Sequence, residues 1–185
     1  MIEQPSLFRQ LEPGSRRERA VIGVSLAAAG FILLLDQATK VMVERSFMLH
    51  ESRILIENFF SLTFVRNYGA AWSLFSGQGW FLLAVAALVT AGCFWFFRYL
   101  TEGYPERCFA IFIILGGVAG NSIDRIWRGA VVDFFDVHWY DAHWPIFNVA
   151  DIAICVGVGL FLLSSLLRKP RKAEGEEKAA STASE

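Results

Sequence analysis

The sequence is short of cysteine, proline and charge. Its 185 residues include three cysteines and five prolines, and charged residues make up 19% of the chain. The cysteines have no metal-type spacing and sit in apolar surroundings, which argues against a disulfide framework and predicts three small core thiols. Because hydrophobic residues reach 55%, a disordered or collagen-like chain is excluded as well. One apolar domain is the expectation that remains.

An excess of basic charge is also missing. Seventeen basic residues face 18 acidic ones, for a net charge of −1, so we expect no nucleic-acid partner. The alternation of Asp136, His138, Asp141 and His143 matches no zinc spacing, and it predicts a solvated polar loop rather than a metal site. We therefore expect no metal site at these residues.

Four long stretches are almost free of charge. They cover residues 21–35 (continuing past two ionisable residues to 43), 79–97, 108–123 and 152–167. A bilayer core takes about 20 apolar residues as helix, so the pattern predicts four transmembrane helices. A soluble helical bundle is the alternative, but the second and fourth stretches lack its 3.6-residue periodicity. The predicted fold class is an all-α integral membrane protein with a small extracytoplasmic β-rich surface segment.

Charge also predicts the orientation and the division of the chain. An even number of spans puts both termini on one side, and most Lys and Arg residues fall on that side, which makes it cytoplasmic. We expect a solvated cytoplasmic segment at 1–19, a transmembrane domain at 20–168 and a cytoplasmic tail at 169–185. Outside the membrane we expect a surface segment at about 44–78 and a loop at about 128–145.

The outer side carries β-type sequence and aromatic residues. Residues 54–64 are rich in β-branched and aromatic side chains bounded by turn signals, which predicts a small sheet or hairpin. Interfacial anchoring is the plain interpretation of the aromatic residues on this side. They are Trp72, Trp80, Trp127, Trp139, Tyr140 and Trp144.

The predicted topology brings polar residues of three helices to one depth near the outer boundary. They are Asp36, Lys40, Asn121, Asp124, Arg125, Asp133, Asn148 and Asp151. Ionisable groups at membrane depth are costly, so they pair with one another or act on a substrate. Asp36 and Lys40 have the i, i+4 spacing of an ordinary ion pair. Arg125 fits a helix-end polar cluster and a contact to a substrate carbonyl or headgroup equally well.

Asp133 and Asp151 both lie in apolar sequence. Apolar surroundings disfavour a charged carboxylate, and two neighbouring carboxylates push their titrations apart. Such a pair can share one proton and serve as general acid and base, although proton or ion pathways use similar residues. Sequence spacing alone does not bring these two side chains together.

The glycines at 116, 117 and 120 are a separate signal, which indicates close approach of neighbouring helices or of a substrate helix.

Five sequence blocks in order carry a resemblance to a known family. They are DQATK at 36–40, NYGAA at 67–71, GGVAGNSIDR at 116–125, GAVVDF at 129–134 and FNVAD at 147–151. In order, spacing and four-span layout the chain resembles the lipoprotein signal peptidase (signal peptidase II) family from about residue 21 to 167. The resemblance implies a bacterial inner-membrane aspartic peptidase that cuts prolipoproteins just before a cysteine carrying diacylglycerol.

The resemblance also implies roles for residues and partners. It places the catalytic pair on Asp133 and Asp151, near the outer face. It places substrate contacts on four residues, namely Asn67, Asn121, Arg125 and Asn148. Asp36, Lys40 and Asp124 match positions of structural polar support. The implied partners are the lipid-modified prolipoprotein and membrane lipids, and the implied state is a monomer. The implied reaction requires no metal and no organic cofactor. A proton-coupled carrier and a non-catalytic scaffold are the alternatives.

Overall fold

The computed structural model describes residues 10–70 and 74–168. Five helices and four strands follow one another in the order α1 (Arg16–Ser46), β1 (Ser52–Ile56), β2 (Phe60–Asn67), α2 (Gly79–Trp95), α3 (Phe97–Thr101), α4 (Pro105–Trp127), β3 (Val131–Trp139), β4 (Ala142–His143) and α5 (Val149–Leu167). The expected tail at 169–185, residues 1–9 of the N-terminal segment and Trp72 lie outside the described residues.

Helix α1 begins earlier than the sequence predicts. Ser15 is its N-cap and accepts a hydrogen bond from the Glu18 backbone N–H at 3.0 Å, which satisfies one of the open donors of the first turn. Ahead of it, Leu11 is buried and its backbone N–H donates to the Gly103 carbonyl at 2.6 Å. Leu11 thus docks on the turn before α4, while no other residue of 10–19 is buried.

Three of the helices are long and apolar enough to cross a membrane, by length and composition. These are α1, α4 and α5, whereas α2 is 17 residues long and falls short of that criterion. The second apolar stretch is divided at Phe96, after which the five-residue α3 begins. None of the residues of α2 is buried, so this helix has no core-facing stripe of the kind a soluble bundle needs.

The glycines of α4 serve helix packing within the chain. A Cβ added at Gly117 would lie 2.5 Å from the Ala150 carbonyl oxygen of α5, and one at Gly120 would lie 2.5 Å from Asp36 Oδ2 of α1. At Gly116 the added atom would lie 2.9 Å from the α1 backbone. Of the two uses indicated by the sequence, close approach of the protein's own helices is the one observed, because α1 and α5 occupy this surface.

A substitution at Gly117 tests this packing. We expect Gly117→Ala to lower the free energy of unfolding by about 1–3 kcal/mol, the usual effect of overpacking a well-filled core. Gly30→Ala is the matched control, because Gly30 also lies in a long helix and has open space where its Cβ would be. Thermal unfolding of both variants in detergent measures the difference, and equal midpoints would contradict the packing role.

The strands form one antiparallel sheet in the order β1–β2–β3–β4. The small sheet predicted around residues 54–64 is confirmed by the β1–β2 hairpin. Strand β2 continues to Asn67 and pairs with β3, with Val65 opposite Asp133 and Asn67 opposite Val131. The sheet therefore places residue 67 and residue 133 on neighbouring strands.

The solvated loop predicted at 136–144 is a β-hairpin made of β3 and β4. Asp136 is buried, accepts a hydrogen bond from Thr63 Oγ1 at 2.8 Å and pairs with His143 Nδ1 at 2.7 Å. The His138 and His143 rings stack at 4.7 Å between centroids. The prediction of a loop is wrong because Asp136 and His138 find hydrogen-bond partners on β2, although residues 139–144 are exposed as expected. Within residues 10–70 and 74–168, no three His, Cys, Asp or Glu side chains are grouped as metal ligands.

The cysteines also depart from the expectation of three core thiols. Only Cys108 is buried, while Cys93 is half-buried and Cys155 is exposed. Cys155 lies in the middle of the apolar helix α5, with its side chain exposed. Apolar sequence around a cysteine predicts an apolar environment, but it does not show whether the thiol is buried in the protein core or exposed on an apolar helix surface.

Candidate active site

A fully buried charge cluster joins α1 and α4 at one end of the bundle. Lys40 Nζ lies 2.8 Å from Asp36 Oδ2 and 2.8 Å from Asp124 Oδ2, and all three side chains have no exposed surface. Gln37 donates to both carboxylates, and Arg128 Nη1 donates to Asp124 Oδ1 at 2.6 Å. The two carboxylates therefore face two cations, which is the condition under which buried charge is tolerated.

The same two carboxylates hold the backbone next to each candidate catalytic residue. Asp36 Oδ1 accepts the backbone N–H of Ala150 at 2.9 Å, one residue before Asp151. Asp124 Oδ2 accepts the backbone N–H of Val132 at 3.2 Å, one residue before Asp133. The buried charge cluster thus fixes the first turn of α5 and the start of β3.

Asn148 lies between the two aspartates. As N-cap of α5, its side chain accepts the Asp151 backbone N–H at 3.0 Å, and its own backbone N–H donates to Asp151 Oδ2 at 3.2 Å. Its amide Nδ2 donates to Asp133 Oδ1 at 2.6 Å. This capping box brings together a strand carboxylate and a helix carboxylate that are 18 positions apart in the sequence.

Each remaining carboxylate oxygen also has a donor. Asn121 Nδ2 donates to Asp151 Oδ1 at 2.8 Å, and Asn67 Nδ2 donates to Asp133 Oδ2 at 3.0 Å. Asn121 in turn accepts from Lys40 Nζ at 3.0 Å, which connects the pair to the buried charge cluster. The structure thus brings the two aspartates and all three of the sequence-predicted asparagines into one hydrogen-bonded network.

Two of these asparagines are buried. Asn148 is 0% exposed and Asn121 is 9% exposed, and the amide of each already donates to an aspartate. Both amides are therefore occupied by the aspartates in this structure, and the substrate contacts expected at Asn121 and Asn148 stay predictions. Sequence patterns identify a polar residue at the site without showing which way its amide points.

Asn67 and Arg125 are half-buried and lie at the rim of the site. Arg125 Nη2 donates to the Gly69 carbonyl at 2.9 Å, and Arg125 Nη1 donates to the Asn121 carbonyl at 3.2 Å. Asn67 Oδ1 accepts the Gly69 backbone N–H at 2.9 Å, which closes the turn after β2. These two side chains are the sequence-predicted substrate contacts that retain accessible surface.

The surroundings of Asp133 favour its protonated form. Burial, and next the charge of Asp151, raise the pKa of Asp133 to about 7, although hydrogen bonds from Asn67 and Asn148 oppose the change. Asp133 itself is 2% exposed, whereas Asp151 is half-buried and open enough for water to reach. A carboxyl group that titrates near neutral pH is suited to general acid–base chemistry.

Sequence reasoning missed Gln37 and Arg128. Gln37 donates to the Gly120 carbonyl and accepts from Arg128 Nη1 at 3.0 Å, so it completes the link between α1 and α4. A signal was present, since Arg128 follows Asp124 by four residues on the same helical face. Arg128 also pairs with Glu44 at 2.9 Å, a contact between distant segments that spacing does not reveal.

Paired carboxylates at one end of an apolar helical bundle are typical of a membrane-embedded aspartic hydrolase. The family model described as Signal peptidase (SPase) II matches residues 28–167. The lipoprotein signal peptidase of Syntrophotalea carbinolica is 43% identical over 145 residues, which cover 76% of this chain and 89% of that protein. That of Halalkalibacterium halodurans is 43% identical over 150 residues, covering 80% of this chain and 94% of its own length.

Two solved structures of bacterial membrane enzymes, both obtained by the in meso method, share the fold. One, at 2.3 Å resolution, is 28% identical with a TM-score of 0.71, and the match covers 90% of this chain and 99% of that one. The other, at 1.9 Å, is 32% identical with a TM-score of 0.70 and coverage of 80% and 95%. The chain belongs to the signal peptidase II family, and it is accordingly an aspartic-type membrane peptidase.

Proposed function

We propose that the protein removes signal peptides from diacylglyceryl-modified prolipoproteins by cleaving just before the lipidated cysteine. The family and the relatives named as lipoprotein signal peptidases support this substrate class. The observation that carries the proposal is the contact of Asn148 with both Asp133 and Asp151. The proposed catalytic residues are these two aspartates, and Asn67 and Arg125 are the proposed substrate contacts.

The proposed reaction is hydrolysis by a two-aspartate dyad that shares one proton. The ionised aspartate takes a proton from water while the water oxygen bonds to the scissile carbonyl carbon. The protonated aspartate then gives its proton to the leaving amine as the C–N bond breaks. Both carboxyl groups come from one chain, which supports a single chain as the catalytic unit. The bilayer would hold the lipid chains of the precursor.

Four membrane crossings remain part of this proposal. Helices α2 and α3 run together from residue 79 to 101, which at about 1.5 Å per residue gives a length comparable with the hydrocarbon core of roughly 30 Å. Arg16, Arg98 and Arg168 lie at one end of the apolar segments, which supports cytoplasmic termini in a bacterial inner membrane. The site then lies near the outer face, at the end that carries Trp80 and Trp127.

Mass spectrometry of the purified protein in liposomes tests the function. A precursor with a diacylglyceryl cysteine should release its signal peptide, and the new N-terminus should be the modified cysteine. The same precursor without the lipid is the matched control and should be cut far more slowly. Uptake driven by a pH gradient, with no peptide released from the lipidated precursor, would instead favour a proton-coupled carrier.

The burial of Asp133 predicts how activity depends on pH. Its pKa is raised to about 7, so the group is protonated below that pH and loses its proton above it. Because the dyad needs one proton, kcat/KM should fall on the alkaline side with a midpoint near pH 7. A pH–rate profile with a lipidated peptide measures this fall, and undiminished activity up to pH 9 would contradict it.

A further inference from the structure

We infer that Lys40 and Asn121 are positioning residues that keep Asp151 as the ionised member of the pair and leave the shared proton on Asp133. This inference rests on the proposed function, because it assigns the base and the acid of that reaction. It also gives Lys40 a role beyond structural support, and it gives Asn121 a role other than substrate contact.

Asp151 is surrounded by donors that favour a negative charge. It lies in the first turn of α5, where the helix dipole supplies about half a positive charge to the N-terminus. Its Oδ2 accepts a backbone N–H of that turn, from Asn148, and its Oδ1 accepts Asn121 Nδ2 at 2.8 Å. Neither of these donors can also accept a proton from Asp151, so both bonds favour the carboxylate over the acid.

Lys40 determines which end of the Asn121 amide faces Asp151. An ammonium group only donates hydrogen bonds, so its 3.0 Å contact requires the amide oxygen, Oδ1, on the Lys40 side. Asn148 Nδ2 donates to the same oxygen at 3.1 Å and imposes the same orientation. The Asn121 NH₂ group must then point to Asp151. The ammonium also polarises the amide and strengthens its N–H as a donor.

Asp133 has a different environment. It lies on β3 rather than at a helix N-terminus, and it is almost completely buried. Both of its donors, Asn67 and Asn148, are uncharged side-chain amides. Removal from water disfavours its charged form, while the half-buried Asp151 remains open to water. Asp151 therefore differs from Asp133 in three ways: it lies at a helix N-terminus, it accepts a hydrogen bond from an amide that Lys40 polarises, and it is less buried. All three differences favour the negative charge on Asp151.

The charged groups packed around the pair do not reverse this difference. Asp36 and Asp124 carry two negative charges that are matched by Lys40 and Arg128 within the cluster. The charge of Lys40 acts on both aspartates and that of Asp36 acts on Asp151, so the hydrogen bond through Asn121 is what distinguishes Asp151 from Asp133. Arg125 on α4 is the other nearby cation, and its positive charge acts on both aspartates.

A pair of matched variants separates the two assignments. Asn121→Leu removes the donor to Asp151, so the acidic limb of kcat/KM should move up by about one pH unit, as expected for one hydrogen bond to a charged group. Asn67→Leu removes the donor to Asp133, so the alkaline limb should move up instead. Both substitutions keep the number and the branching of the side-chain heavy atoms. An acidic limb unmoved by Asn121→Leu, or moved by Asn67→Leu, would overturn the inference.

Lys40→Gln tests whether the positive charge of Lys40 acts on Asp151 through Asn121. A glutamine at 40 can still donate to Asn121 but lacks the positive charge, so the acidic limb should move in the same direction as in Asn121→Leu. An effect on kcat/KM with no movement of that limb would identify Lys40 as merely structural. Failure of the proposed function is distinguishable from failure of this inference, because the wild-type protein would then release no peptide at any pH.

Infrared spectroscopy gives a readout that does not require turnover. At pH 5.5 the folded protein should show the C=O stretch of one protonated, buried aspartic acid. Asp133→Asn should remove this band, whereas Asp151→Asn should retain it, because burial is the first cause of the raised pKa of Asp133. Loss of the band in Asp151→Asn alone would assign the proton to the other residue and overturn the inference.

Discussion

Asp133→Asn and Asp151→Asn should each lower kcat for signal-peptide release by at least about a thousandfold, while the protein stays folded. General acid–base catalysis typically contributes 10²–10⁴-fold, and two residues that act as a unit lose most of it when either is removed. An asparagine keeps the shape of the side chain but can neither take a proton from water nor give one up. Single-turnover cleavage of a lipidated peptide in micelles measures the loss.

Asp141→Asn is the matched control for both variants. Asp141 is an exposed aspartate at the end of the β3–β4 hairpin, and the same change there should leave the rate within about twofold, since surface substitutions rarely have larger effects. Unfolding midpoints of all three variants must stay close to that of the wild type for the comparison to be valid. Normal processing by a folded Asp133→Asn or Asp151→Asn protein would refute the dyad.

Lys40→Met should lower the free energy of unfolding by about 3–5 kcal/mol, the usual cost of breaking a buried ion pair by removing one partner. Lys40 is the shared partner of Asp36 and Asp124, and none of the three side chains has contact with solvent. Methionine fills a similar volume, so the loss would reflect two carboxylates left together without their cation. Those carboxylates also hold the backbone before each catalytic aspartate, so activity should fall as well.

Arg53→Met provides the comparison for the stability change. Arg53 pairs with Glu51 at 2.9 Å, but its side chain is 53% exposed and that of Glu51 is 33% exposed. Exposed pairs contribute about 0–1 kcal/mol, because water screens them. In equilibrium unfolding in mixed micelles, the free energy of unfolding should therefore be far lower for Lys40→Met than for Arg53→Met. Equal stabilities would mean that the buried charge cluster does not hold the helices together.

Much of the fold can be predicted from where charge is absent. Long uncharged stretches identify α1, α4 and α5 as membrane helices, because a bilayer tolerates so few polar groups. The β-branched run at 54–64 predicts the first hairpin for an equally local reason. The second apolar stretch is the exception. It folds as α2 and α3 with a break at Phe96, and no helix-breaking proline marks that position in the sequence.

Predictions that depended on partners were less successful. Asp136 and His143 look like loop residues in the sequence, yet they form a pair within a sheet. Asn121 and Asn148 are in the expected region, but the sequence did not show that their amides donate to Asp151 and Asp133. In each case the sequence showed the chemical type of the residue but not its partner in the folded structure. These hydrogen-bond partners lie 7 to 30 positions apart in the sequence, and local spacing does not show that they meet.

The sequence by itself determined that this protein is a helical membrane protein with polar residues gathered at one depth, because hydrophobicity and charge are local properties of the chain. Only the tertiary structure decided which of those residues meet. The glycine contacts of α4 allow α1 and α5 to approach closely enough for Asp36, Lys40 and Asp124 to be buried together. Cross-strand pairing and the N-cap of α5 then place Asp133 and Asp151 around Asn148, which no sequence spacing specifies.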